Sequence, residues 1–136
     1  MAAAAVATNV DSSASRPTNG SAAGLLDVLF VFIGARFLLV PRASAAGYGV
    51  PAKQDGDAAY LTIKGLRDFS YGILGLALLA FAGAHAAGWF MLVVALNPLG
   101  DTLIVLRHGG TKATAFGIHF ATAVIVFISA ALLFAI

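Results

Sequence analysis

The sequence predicts an all-α protein, a four-transmembrane-helix up-down bundle behind a disordered N-terminal tail. Three observations predict it. Hydrophobic residues make up 60% of the 136 residues and charged residues only 10%, with a mean hydropathy of +0.94. A soluble domain carries about 25% charged residues, and a soluble fold this short cannot hide so much apolar surface. Lipid must therefore solvate part of it. The apolar residues also fall into four runs, and the turns between the later runs are too short for anything but antiparallel neighbours.

Residues 1–22 are rich in Ala, Ser, Thr and Asn and carry no periodic or bulky apolar pattern, so they read as a disordered tail ahead of a four-helix domain over 23–136. A lone Arg16 without an apolar core argues against a targeting peptide. The first run, Leu25 to Val40, is about 24 Å long as a helix and reaches a span of about 30 Å by adding Ala22 to Gly24. Asp27 lies near its start, where it reads as a solvated end, and Arg36 lies one turn before its finish. Pro41 then opens a loop punctuated by Gly and Pro that closes on Lys53, Asp55 and Asp57, the last a candidate N-cap.

The purely apolar part of the second run, Phe69 to Ala82, spans only about 21 Å. It must borrow two turns from its N-terminal side, which draws Arg67 and Asp68 inside the membrane edge. Gly72, Gly75 and Gly83 leave a smooth surface for close helix contact, within the chain or between copies of an oligomer. The third run has about ten residues before Asn97-Pro98 and cannot span unless the helix continues through Pro98 and Asp101 to about Leu106. The fourth runs from about Ala113 to Ile136, with His119 two turns in.

Composition excludes several function classes. Without cysteine there is no disulfide and no thiolate metal site. A net charge of +2 gives no nucleic-acid footprint. No phosphate loop, nucleophile elbow or haem pair is present, so no cofactor is expected, and only one histidine stands among carboxylates, which argues against a metal. The loops after the first and third runs carry Arg42, Lys53, Arg107 and Lys112, while the turn between the second and third carries no Lys or Arg. The positive-inside rule places both basic loops in the cytoplasm and both termini across the membrane.

Up-down topology brings one end of each helix to one side of the membrane. Those ends carry Arg36; Arg67, Asp68 and Tyr71; Asn97 and Asp101; and His119. Charged groups inside a span cost about 2.5–3.5 kcal/mol on insertion scales and turn inward to pair, so Arg36 or Arg67 should meet Asp68 or Asp101. Two readings follow. In one, Asp68 and Asp101 act as acid and base, His119 relays a proton, and Arg36, Arg67, Tyr71 and Asn97 bind a lipophilic small molecule to be isomerised or cyclised. In the other, the Arg/Asp pairs only fix helix register in a non-enzymatic membrane subunit or assembly factor, with a dry core and no cavity.

One family shares these features. Arg36 with Pro41, Gly47-Tyr-Gly-Val-Pro51, Ala59-Tyr-Leu with Lys64-Gly-Leu-Arg-Asp68, Gly72, Pro98 with Asp101-Thr-Leu-Ile-Val, and His119 resemble the pattern of domain of unknown function 4267, over about Leu25 to Ile136. The resemblance implies an integral membrane protein and supplies no mechanism. In architecture alone the chain is also similar to DoxX-like four-helix proteins, some of which are associated with quinol-linked respiration.

Overall fold

The computed structural model describes residues 16–50, 53 and 58–136. Among the described residues five helices form: α1 (Arg16–Leu39), α2 (Pro41–Ala46), α3 (Ala59–Ala82), α4 (Ala84–Arg107) and α5 (Lys112–Phe134). All but α2 are long and apolar enough to cross a membrane. Together with the composition, they make the chain an integral membrane protein. The chain is already helical at Arg16, well ahead of the apolar run that marks α1 in the sequence. Residues 1–15, the bulk of the expected tail, and the candidate cap Asp57 lie outside the described residues.

Local chemistry sets the helix ends. Pro41 supplies a fixed φ at the first position of α2, directly after α1 stops. The last turn of α3, Leu78–Ala82, widens to i→i+5 hydrogen bonding, and the Gly83 amide closes it on the Leu78 carbonyl at 2.9 Å. Gly83 has φ +87°, a conformation that residues with a Cβ rarely adopt, so it turns the chain into α4 within one residue. Helix α4 passes through Pro98 as length requires. Proline offers no amide to the Val94 carbonyl, and the helical pattern breaks beside it at Ala95. The Thr102 hydroxyl donates to the Pro98 carbonyl at 2.8 Å, as Ser and Thr do inside membrane helices. At the start of α5 the Thr111 side chain accepts from the Thr114 amide at 3.0 Å.

The bundle order in space is α3–α1–α5–α4. The α1–α3 pair has the most extensive contact and α4–α5 the next, whereas α4 meets α3 mainly at the turn they share. Of the expected glycine face of α3, Gly72 and Gly75 are turned inward on α1, joined there by Gly65, while Gly83 ends the helix with open space around it. A Cβ at Gly65 would stand 2.8 Å from the Phe37 Cβ, and one at Gly72 would stand 2.5 Å from the Asp27 carbonyl oxygen. Across the seam, a Cβ at Gly34 would run into the Phe69 backbone.

The interior divides into two halves. One is a dry cluster of Ala23, Ala87, Met91, Ala95, Val126, Ala130 and Leu133 from α1, α4 and α5. The other, toward the α2 end, is polar. One acid departs from that division. Asp27 is fully buried and, among the described residues, neither carboxylate oxygen has a hydrogen-bond partner, which corrects its reading as a solvated end. With the chain helical from Arg16 onward, Asp27 lies at least three turns inside the helix, pressed against Gly75 of α3.

Candidate functional site

The polar half is built from the loop upward. Helix α2 and Gly47 carry the chain back over the bundle end and bring Tyr48 between α3, α4 and α5. Gly49, with φ +93°, lets this loop lie against Thr114 and Val105; a Cβ at Gly110 would stand 2.5 Å from the Gly49 carbonyl oxygen. The Tyr48 hydroxyl donates to Asp101 Oδ2 of α4. The His119 Nε2–H of α5 donates to the Tyr48 carbonyl at 2.8 Å. The two rings lie 4.4 Å apart between centroids at 61°. Phe37 meets the Tyr48 ring edge-on at 5.7 Å.

A carbonyl oxygen can only accept, so Nε2 is the protonated nitrogen of His119. In the neutral ring Nδ1 is left as the basic atom. His119 is itself buried, on a stretch of α5 (Ala115–Phe120) with widened turns of the kind often found at functional sites.

Helix α3 contributes the charged wall. Lys64 donates to Asp68 Oδ2 one turn on, and its ammonium lies 4.3 Å from the Tyr48 ring centroid and 4.7 Å from that of Phe37. A desolvated cation over aromatic faces is well stabilised. Arg67 Nε approaches Asp68 Oδ1 at 3.5 Å from a half-exposed position. The expected pairing of arginine with aspartate therefore exists, but both cations on Asp68 belong to its own helix and tie no two helices together. Burial pushes the Tyr48 phenol above the usual tyrosine range, and the adjacent Asp101 carboxylate pushes it further.

These groups surround a cavity of about 280 Å³. Five of the seven residues expected from sequence line it: Arg36, Asp68, Asn97, Asp101 and His119. Arg67 stands behind Asp68, and Tyr71 lies off the lining, its ring packed 6.4 Å from that of Phe90. Sequence reasoning missed Tyr48 and Lys64 as site residues. The Lys64–Asp68 spacing was the signal available for one; for the other it was an aromatic between two glycines in a loop bounded by prolines. Leu29, Phe32 and Ile118 line the cavity and are also exposed, so its mouth lies on the lipid-facing side between α1 and α5. Helix α1 makes its main contacts with α5 along Ala121–Phe134, and far fewer along the earlier turns.

The family model described as Domain of unknown function (DUF4267) matches residues 28–133. No curated protein and no solved structure matches the chain.

Proposed function

The chain belongs to the DUF4267 family, and we propose that it binds a lipophilic small molecule in the polar cavity and moves a proton on it. The observation that carries this reading is the cavity itself, walled by Asp101, Tyr48, His119 and the Lys64–Asp68 pair and open toward lipid. A bundle whose polar residues served only to hold helices together would close over them. Here the ion pairs stay within α3, and space remains beside the acids and the imidazole.

The chemistry is a proton relay. His119 Nδ1 removes a proton from an activated carbon of the ligand. The resulting imidazolium returns it at another position, giving an isomer or a ring-closed product with no co-reactant, while Asp101 anchors Tyr48, whose carbonyl orients the ring. Arg36 and Asn97 hold the ligand's polar end. By the positive-inside rule the cavity lies in the cytoplasmic half of the membrane.

Deuterium transfer from heavy water into lipophilic carbonyl compounds, followed by mass spectrometry on membranes containing the protein, tests the relay. Wild type should label its substrate, and Asp101→Asn and His119→Gln should each slow labelling by about a hundredfold or more. Undiminished labelling in both variants would remove the catalytic role.

A further inference from the structure

Resting on the reading of the cavity as a binding site, we infer that its ligand is a single-chain amphiphile with a carboxylate head, seated against Arg36. The first support is the pattern along α1. Leu29, Phe32, Ile33 and Arg36 recur at helical spacing and all line the cavity, which makes an apolar track of about 10 Å that ends in a guanidinium.

The second is the pairing of charges around the cavity. Asp68 holds Lys64 and Arg67, and Asp101 accepts from Tyr48. Arg36 lines the same space and has no ion-pair partner among the described residues. A planar guanidinium in that position matches a carboxylate through two parallel hydrogen bonds. Of the acids in the wall, Asp68 is covered by two cations, while Asp101 keeps its charge beside a neutral phenol; the three cations Arg36, Lys64 and Arg67 still outnumber the two acids.

The third is size. The volume equals that of about nine liquid waters, enough for a head group and the start of one chain but not for the two acyl chains of a phospholipid. The rest of the chain leaves through the mouth between α1 and α5, where Leu29, Phe32 and Ile118 already face lipid.

Native mass spectrometry of the full chain released from non-ionic detergent tests the assignment, with dodecanoate, dodecanol and phosphatidylglycerol as probes under mildly alkaline conditions. Wild type should bind one dodecanoate and hold dodecanol about tenfold or more weakly. Arg36→Gln should bring the two probes level while still binding dodecanol, which also shows that the variant is folded. Arg36→Lys should restore part of the difference. Equal binding of both probes by wild type would overturn the carboxylate assignment and leave the cavity reading intact. Displacement of dodecanoate by phosphatidylglycerol would instead make Arg36 a headgroup anchor. If neither single-chain probe binds, the cavity reading itself falls.

Discussion

Tyr48 is the residue on which the polar half turns. Its hydroxyl holds Asp101, its carbonyl holds His119, and its ring meets Phe37 and the Lys64 ammonium. Burial and the Asp101 carboxylate both disfavour the phenolate, so the group stays a hydrogen-bond donor through the ordinary pH range. An alkaline ultraviolet titration should show a tyrosine fraction that resists ionisation beyond about pH 10. Tyr48→Phe should abolish that resistant fraction while keeping the ring contacts; its persistence would assign it to another residue.

That Arg36, Asp68, Asn97, Asp101 and His119 meet at one end of the bundle was legible, because helix lengths and short turns fix which ends share a side. Tyr48 was not, since no periodicity encodes the path of a loop. Asp27 was misread for a related reason. Its depth depends on where α1 starts, and the small polar residues that form the first turns of α1 look like a tail.

At the level of elements, the α1–α3 seam is the closest contact in the bundle, and Asp27 is its singular feature. A Cβ at position 75 would overlap the Asp27 carboxylate. Gly75→Ala should therefore destabilise the protein by about 1–3 kcal/mol in detergent unfolding, although alanine is the better helix former. Asp27→Ala removes the obstructing group, so the double variant should regain about 0.5 kcal/mol or more relative to additivity. Strictly additive effects would mean that the two residues do not touch. The inward glycine face was visible in the sequence as a smooth surface. That it meets α1 rather than its chain neighbour α4 was not, because a one-residue turn fixes direction and leaves the packing partner open.

For the whole molecule, the sequence carried the number of spans and their alternation, while the order α3–α1–α5–α4 is a matter of which surfaces interlock. The proposed orientation can be tested directly, since the chain has no cysteine and any thiol introduced reports alone. Lys112→Cys should react with a membrane-impermeant maleimide only from the cytoplasmic face, and Ala82→Cys only from the opposite face. The reverse pattern would invert the bundle and move the cavity to the other leaflet.

The buried carboxylate also bears on how the chain enters the membrane. An aspartate near mid-span costs a few kcal/mol when it faces lipid. Its cover, the Gly72–Gly75 surface of α3, is synthesised more than forty residues after it. The first span therefore inserts at a cost that only the second can relieve. Pairing with the second span removes that cost, so the two are expected to settle in lipid together as one hairpin.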